Sequence, residues 1–233
     1  MDFDLAGATH EGSVRDHNED AYGIDETVPV AVLADGMGGL AHGEVASNAV
    51  IRHTLSALKN GQSADQAIRS AHREIIDAAA GSAQRMGSTA VVVCPSAKSV
   101  RVYWVGDSRA YLFRKGQLSL LTRDHSLVQG LIDAGAITEA EAEHHPNRNV
   151  VTRAVGIDDN GDLDIDHIDV TSQSGDRILV CSDGLHGYLP HDRMTSILGE
   201  HKSNQAAAEA LIAATLQETE AGDNVSVICL TVP

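Results

Sequence analysis

The stretch VAVLADGMGG, residues 30–39, decides how the rest of this chain is organised. Its apolar, β-branched-rich first half predicts a buried strand that ends at the carboxylate of Asp35. The three glycines that follow allow other groups to approach the backbone closely. A carboxylate followed by accessible backbone suits a hard cation, because the side chain and a main-chain carbonyl can both act as oxygen ligands.

The same residues also fit a dinucleotide-binding turn. GMGGLA, residues 36–41, matches the G-x-G-x-x-A pattern that follows a strand and opens a helix. Asp35 argues against this interpretation, since its charge would lie beside a pyrophosphate that needs backbone N–H groups. Residues 54–64 also lack the acid that would bind the ribose. The sequence therefore favours a cation site over a nucleotide site.

Length, charge and cysteine usage limit the class of protein. The chain has 233 residues, 42% of them hydrophobic, and no Pro- or Gly/Ser-rich linker, which predicts one domain with a proper core. Its net charge of −16 argues against nucleic acid and anionic membranes as partners. Three cysteines lie in apolar runs without C-x-x-C spacing, which predicts buried thiols and a reducing compartment. With no basic amino terminus or membrane-length apolar run, we expect a cytoplasmic protein.

The hydrophobic patterns predict a mixture of strands and helices. The predicted strands are residues 3–10, 21–24, 30–35, 90–94, 100–105, 110–114, 117–121, 177–181 and 225–231. The predicted helices are residues 43–58, one that follows a capping box at Ser63, one that begins at Thr138, and residues 190–198 and 204–216. We expect residues 87–121 to form an antiparallel meander and residues 127–149 to be an irregular excursion from the sheet.

The acid-rich residues 158–169 predict solvated surface. A calcium loop that starts at Asp158 would need glycine at its sixth position, which this segment lacks, and glutamate at its twelfth, where Asp169 stands.

Four aspartates share one kind of position, the boundary of an apolar strand: Asp35, Asp107, Asp183 and Asp223. Converging carboxylates repel each other unless cations lie between them, and oxygen-only ligands select Mg²⁺ or Mn²⁺. With Glu19 and Asp20 there are enough acids for two metals that share a bridging ligand, an arrangement that activates water and holds a phosphoryl group. Arg15 would then orient the phosphate with its planar guanidinium, although this loop could also be a solvated turn with a local ion pair.

Seven segments resemble, in order, the motifs of the metal-dependent PP2C-type serine/threonine phosphatases. They are RDHNED (15–20), ADGMGG (34–39), GSTA (87–90), GDSR (106–109), LTRDHS (121–126), SDG (182–184) and GDNVS (222–226). The resemblance covers nearly the whole chain and implies an α+β fold. This is a four-layer α/β/β/α sandwich, with two central antiparallel β-sheets flanked by helices. It also implies a bacterial-type single catalytic domain over residues 1–233, with a flap at about residues 127–149.

The resemblance also implies roles for individual residues. Asp35 corresponds to the carboxylate that bridges both metals. The Gly36 carbonyl and Glu19 correspond to ligands of one metal, and Asp183 and Asp223 to ligands of the other.

Three further residues complete the expected site. Asp20 resembles the residue that holds metal-bound water, Arg15 resembles the phosphate clamp, and Asp107 with Asp183 resembles a third, weaker metal site. The expected cofactors are two Mn²⁺ or Mg²⁺ ions, with a third possible. The expected reaction is in-line attack of water on a phosphoserine or phosphothreonine monoester without a covalent intermediate. Met37 replaces the histidine that many eukaryotic members carry as a proposed general acid, so His42, a metal-bound water or solvent would supply that proton.

The resemblance implies phosphoproteins as substrates, in opposition to a Ser/Thr protein kinase, and we expect a monomer. Three other classes of protein fit these residues less well. A cysteine-dependent phosphatase needs C-x₅-R, whereas six residues separate Cys94 from Arg101. A nicotinamide-dependent oxidoreductase would need the glycine turn rejected above. A catalytically silent regulatory module would not need carboxylates at every expected metal-ligand position, and this chain has them.

Overall fold

The computed structural model describes residues 3–38, 42–80, 85–96, 98–157 and 162–233. The strands in these residues are β1 (Asp4–His10), β2 (Asp20–Asp25), β3 (Val30–Met37), β4 (Gly87–Ser88), β5 (Ala90–Pro95), β6 (Ser99–Val105), β7 (Arg109–Arg114), β8 (Gln117–Leu120), β9 (Asp166–Thr171), β10 (Arg177–Cys181) and β11 (Val225–Thr231). The helices are α1 (His42–Lys59), α2 (Ala64–Ala79), α3 (Leu127–Asp133), α4 (Glu139–Glu143), α5 (Asp183–His186), α6 (His191–Glu200) and α7 (Asn204–Glu218).

The strands form two antiparallel sheets. One sheet has the order β1-β11-β10-β7-β8, and the other has the order β2-β3-β5-β6-β9, with the short β4 paired to β3. The first and last long strands of the chain are neighbours, since β1 pairs with β11 from Asp4 and Thr231 to His10 and Val225. The two ends of the chain are therefore held together by a complete ladder of backbone hydrogen bonds.

Three apolar clusters separate the layers. Leu33 and Val91 of one sheet and Ile178 and Ile228 of the other belong to one buried cluster between the sheets. A second cluster lies between α1, α2 and the sheet that contains β3. A third lies between α5, α6, α7 and the sheet that contains β11. The result is the predicted four-layer α/β/β/α sandwich, because each sheet buries one face against the other sheet and one against helices.

Helix α2 shows how local signals place the helices. Ser63 is its N-cap, with the Ser63 Oγ accepting from the Gln66 backbone N at 3.4 Å and the Gln66 side chain returning a bond, so the predicted capping box is confirmed. Its buried face includes Ile68 and Ile75, seven residues apart, which is two helical turns.

The predicted meander is wrong at its centre. The predicted strands at residues 100–105 and 110–114 are β6 and β7, but they belong to different sheets. The chain changes sheet at Gly106, whose φ of 101° is a backbone conformation that favours glycine. Thr89 lies so close that a Cβ on Gly106 would be 2.6 Å from its side chain. Hydrophobic alternation cannot distinguish a hairpin from a crossing between stacked sheets, because both present one apolar face to the core.

Strand β3 extends two residues beyond the predicted end at Asp35. Asp35 pairs with Asp20 of β2, and Gly36 and Met37 pair with Ser88 and Gly87 of β4. The two-residue β4 was not predicted, and it supplies the partner that keeps the glycine-rich segment extended. Gly39 of the opening stretch lies outside the described residues.

Two further segments differ from expectation. Residues 127–149 were expected to be irregular apart from a helix start, and they contain α3 as well as α4, whose N-cap Thr138 was predicted. A bridge between Ser126 and Val151 closes the base of this excursion. Residues 166–171 form β9, an edge strand with mostly exposed side chains, where solvated surface was predicted. The start of the rejected calcium loop, residues 158–161, lies outside the described residues. No helix in the described part of the chain is long and apolar enough to cross a membrane.

Candidate active site

The predicted acids lie at one end of the sandwich, where both sheets meet. Asp20 and Asp35 are directly paired across β2 and β3. Asp183 begins α5 immediately after β10, and Asp223 precedes β11, the antiparallel neighbour of β10. Asp107 lies in the crossing between β6 and β7. The sheet register therefore brings carboxylates together that are up to 203 residues apart along the chain (Asp20 to Asp223).

Burial and mutual repulsion perturb these carboxyl groups. Burial raises the pKa of Asp35 well above its usual range, and the charges of Asp20, Asp183, Asp107 and Asp223 raise it further. Burial likewise raises the pKa of Asp20 to about 7, that of Asp107 to about 7 and that of Asp183 to about 6. Each of these three also feels at least one other member of the group. Five aspartates thus form one electrostatic cluster that a bound cation would stabilise.

Asp20 shows most clearly that the donor set suits a cation. Its Oδ2 accepts a hydrogen bond from the Ser182 Oγ at 2.7 Å, whereas its Oδ1 is buried and has no hydrogen-bond partner among the described residues. A buried carboxylate oxygen without a partner is costly, and a hard cation is the ligand that such an oxygen binds. Within the described residues, no three His, Cys, Asp or Glu side chains are arranged so that they could hold a metal ion as they stand. The residues therefore suit a divalent cation by their chemistry, because they offer acidic, oxygen-only ligands and one oxygen that lacks a partner among the described residues.

Glu19, Gly36 and Gly43 form a close-packed cradle beside this cluster. The Gly36 backbone N donates to the Glu19 carbonyl at 3.1 Å. A Cβ on Gly43 would lie 2.7 Å from the Glu19 carboxyl carbon, and one on Gly36 would lie 2.1 Å from the Gly43 carbonyl oxygen. Only glycine at both positions lets the start of α1 approach β3 this closely. Gly43 was not predicted as a site residue, and its only signal in the sequence was a fourth glycine shortly after the opening stretch.

Arg15 makes its ion pair with a residue distant in sequence. Its Nη2 donates to the Asp223 Oδ2 at 2.9 Å, and this hydrogen bond raises the pKa of Arg15. The alternative of a local pair with Glu19 or Asp20 is not what the structure shows. The Arg15 side chain is 54% exposed, so donors of its guanidinium still face solvent at the mouth of the acidic cluster.

Asn224 holds the loop that carries these residues, and sequence reasoning assigned it no role. Its Oδ1 accepts from the Glu19 backbone N at 2.8 Å, and its Nδ2 donates to the carbonyls of Glu11 and His17, both at 2.9 Å. Ser182 and Ser226 also support the site and were assigned no role from the sequence. The Ser226 backbone N donates to the Ser182 Oγ at 3.0 Å. All three lie in the quoted motifs, which was the available signal.

Comparison with known proteins agrees with this arrangement. A family model described as "Protein phosphatase 2C" matches residues 6–220. The chain belongs to the protein phosphatase 2C family.

Relatives of known name support the same class. The serine/threonine phosphatase stp of Listeria welshimeri is 34% identical, over 94% of this chain and 92% of that protein. The crystal structure of the Mycobacterium tuberculosis serine/threonine phosphatase PstP/Ppp is 30% identical, with a TM-score of 0.89 over 100% of this chain and 99% of that one. Stp1 from Staphylococcus aureus is also 30% identical, with a TM-score of 0.90 over 100% and 96% of the two chains. The protein is a metal-dependent serine/threonine protein phosphatase.

The cysteines of this phosphatase are unsuited to nucleophilic catalysis. All three are free, and burial raises the pKa of Cys94 to about 11 and that of Cys229 to about 12, while that of Cys181 rises still further. The thiolate is the reactive form, and burial disfavours it at all three positions. The prediction of buried thiols is confirmed for Cys181 and Cys229, while Cys94 is half-buried.

His125 of the phosphatase motif LTRDHS accepts a hydrogen bond from the backbone. The Gly106 backbone N donates to its Nδ1 at 3.0 Å, which ties the motif to the crossing between the sheets. Burial lowers the pKa of His125. In the same motif, both carboxylate oxygens of Asp124 accept hydrogen bonds from the Arg109 guanidinium, beside the acidic cluster.

Proposed function

We propose that this phosphatase hydrolyses phosphoserine and phosphothreonine in proteins through Arg15, Asp20 and Asp35. The observation that carries this proposal is the cluster of buried and half-buried, mutually repelling aspartates, with an Asp20 oxygen that has no partner among the described residues and an exposed guanidinium at the mouth of the cluster. Such a site is arranged to hold cations and an anion together. A catalytically silent module would have no use for this stored repulsion.

The residues that would hold divalent cations are Glu19, Asp20, Asp35, the Gly36 carbonyl, Asp107, Asp183 and Asp223. We propose two Mn²⁺ or Mg²⁺ ions, with a third near Asp107 and Asp183. A structure of PstP in complex with two manganese ions, 30% identical with a TM-score of 0.87, supports the two-metal assignment. When bound, such ions would lower the pKa of a water molecule and neutralise charge on the phosphoryl oxygens.

The chain's own residues bind and orient the substrate. Arg15 is held by Asp223 on one side, so its other N–H groups are directed at an incoming phosphate oxygen with little further loss of side-chain freedom. Ser182 fixes the Asp20 carboxylate, which leaves the Oδ1 free to act. Met37 has no proton to donate, so the leaving alcohol takes its proton from another donor.

The proposed partners and location follow from the class and the charge. The substrates would be phosphoproteins made by a Ser/Thr protein kinase. The net charge of −16 disfavours nucleic acid and anionic membranes. We propose a cytoplasmic monomer, with the excursion at residues 127–149 acting as a flap of a single domain.

The Asp35→Asn variant tests the proposal. It removes one carboxylate charge with almost no change in shape, so kcat for p-nitrophenyl phosphate and a phosphothreonine peptide with MnCl₂ should fall at least about a hundredfold. Circular dichroism should show an intact fold. Asp162→Asn, at a fully exposed carboxylate outside the cluster, is the matched control. EDTA should abolish wild-type activity and thiol alkylation should not. Wild-type turnover by Asp35→Asn would contradict the two-metal site.

A further inference from the structure

A cavity of about 890 Å³ extends from the catalytic acids to the excursion at residues 127–149. Asp107, Asp183 and Asp223 line one end of it, and residues of β8, α3 and α4 line the other. Nothing in the proposed chemistry uses this outer half. We call it the outer groove, defined by Leu120, Val128, Ile132, Glu139 and Glu143.

The outer groove has an aliphatic wall. Helix α3 has the sequence LVQGLID, with four aliphatic residues out of seven, yet none of its residues is buried. Val128 and Ile132 are four residues apart and so share one face of the helix, which lines the groove together with Leu120. Leu120 is 47% exposed, although it is a large aliphatic side chain. A contiguous apolar surface of this kind, beside an active site, marks a binding groove.

The rim of the outer groove is acidic. Glu139 and Glu143 lie one turn apart on α4, both exposed, and neither makes a hydrogen bond or ion pair within the described residues. The capping glutamate between them, Glu141, is occupied with Thr138. Arg109 also lines the cavity, but its guanidinium is bonded to Asp124.

A guanidinium, that of Arg148, lies at the other end of the cavity. Arg148 makes no ion pair among the described residues, and its charge acts on the Tyr188 phenol together with those of Asp223 and Asp183. The Arg148 guanidinium is therefore near enough to the acids to attract the phosphate of a bound substrate. The cavity therefore has the catalytic acids and Arg148 at its inner end, and it is apolar and acidic at its outer end.

The outer groove and the catalytic acids belong to one continuous cavity, which indicates what the groove binds. Because one cavity contains both the catalytic acids and the outer groove, a substrate whose phosphate reaches the acids must place its neighbouring residues along this cavity. The free carboxylates of the rim would attract a basic side chain and repel an acidic one.

We propose that the outer groove binds the substrate chain beside the phosphorylated residue, with an aliphatic side chain against Leu120, Val128 and Ile132 and a basic side chain beside Glu139 and Glu143. This inference rests on the proposed function and adds a substrate class to it: phosphopeptides with aliphatic and basic neighbours. A second copy of this chain in the groove is the competing occupant.

The test uses the full-length protein with MnCl₂ and two kinds of substrate. The first is a series of phosphothreonine peptides in which one leucine or one arginine is moved along an alanine and serine background. The second is p-nitrophenyl phosphate, which is too small to reach the outer groove. The variants are Leu120→Ser, Ile132→Ser and the double change Glu139→Gln with Glu143→Gln. Val28→Ser, at an exposed valine in the turn between β2 and β3, and Glu26→Gln are the matched controls.

The wild-type enzyme should prefer leucine at one position and arginine at another, each by about tenfold in kcat/KM. Leu120→Ser and Ile132→Ser should abolish the preference for leucine. The double change Glu139→Gln with Glu143→Gln should abolish the preference for arginine. Neither change should alter kcat for p-nitrophenyl phosphate or the far-ultraviolet circular dichroism spectrum.

Three outcomes would overturn the inference. The first is a wild-type enzyme that hydrolyses p-nitrophenyl phosphate but shows no positional preference among the peptides. The second is that the variants lower kcat/KM equally for all peptides. The third is sedimentation equilibrium showing a dimer that Leu120→Ser dissociates, since a second copy would then fill the groove. If the wild-type enzyme fails on p-nitrophenyl phosphate as well, the proposed function itself is wrong, so the two failures are distinguishable.

Discussion

Replacing Asp107 with asparagine should stabilise the metal-free protein at high pH. Burial and the charge of Asp183 raise the pKa of Asp107 from 3.8 to about 7 in the folded protein. A tenfold change in an acid dissociation constant corresponds to about 1.4 kcal/mol, so the fully ionised carboxylate costs the folded state about 4 kcal/mol. Asparagine has nearly the same shape and is neutral at every pH, so it removes this cost.

The sign of the pH dependence follows from the direction of the shift. An acid whose folded pKa is raised binds more protons in the folded state than in the unfolded state, so stability falls as pH rises through this range. The loss begins near the unfolded pKa of about 3.9 and is complete above about pH 7. The stability difference between Asp107→Asn and the wild type should therefore be below about 1 kcal/mol at pH 4 and approach about 4 kcal/mol at pH 8.

Urea unfolding in EDTA at the two pH values measures this difference. Asp162→Asn, at a fully exposed carboxylate, is the control and should change stability by less than about 0.5 kcal/mol at either pH. Added MnCl₂ should reverse the order, because a ligand that binds the folded state stabilises the wild type more than a variant lacking a ligand. A difference of the same size at pH 4 and pH 8 would refute the reasoning, and so would a variant less stable than the wild type in EDTA at pH 8.

Three further substitutions test other parts of the structure. Ser182→Ala removes the 2.7 Å hydrogen bond that fixes the Asp20 carboxylate. The Mn²⁺ concentration for half-maximal activity should therefore rise about tenfold. An unchanged Mn²⁺ titration would contradict this prediction. Gly43→Ala should lower kcat about a hundredfold, because the new Cβ would displace the Glu19 carboxylate. This loss is expected even though alanine has the higher helix propensity. A wild-type kcat would contradict the prediction and show that Glu19 can move aside without loss of activity. Arg177→Ala removes the hydrogen bonds that the guanidinium donates to the carbonyls of Leu198 and His201 and to Asn204 Oδ1, far from the site. Urea unfolding should therefore show a loss of about 3 kcal/mol or more with kcat unchanged. A smaller loss would mean that water replaces the guanidinium.

Local features of this chain could be read accurately from the sequence. The last strand has the predicted bounds, residues 225–231, and the N-caps Ser63 and Thr138 were identified from their capping boxes. These features depend on side chains within a few residues of each other, so the sequence contains all the information they need. The motifs also named the acids that the structure brings together, and the layer order followed from the family that the motifs resemble.

Features that join distant parts of the chain could not be obtained in this way. Hydrophobic patterns did not show that the chain changes sheet at Gly106, that β4 extends the pairing of β3, or that the aliphatic residues of α3 are only half-buried. The pairing of Arg15 with Asp223 spans 208 residues, and a local partner was equally compatible with the sequence.

For this phosphatase, the sequence by itself determined which acids meet at the proposed site, since carboxylates at the boundaries of apolar strands are visible residue by residue. The tertiary structure alone decided how they act on one another. Burial, the repulsion that raises the pKa values, the unpartnered Asp20 oxygen and the outer groove all arise where two stacked sheets bring strand ends together. That convergence depends on strand register and sheet packing, which are set by the whole core and not by any one stretch.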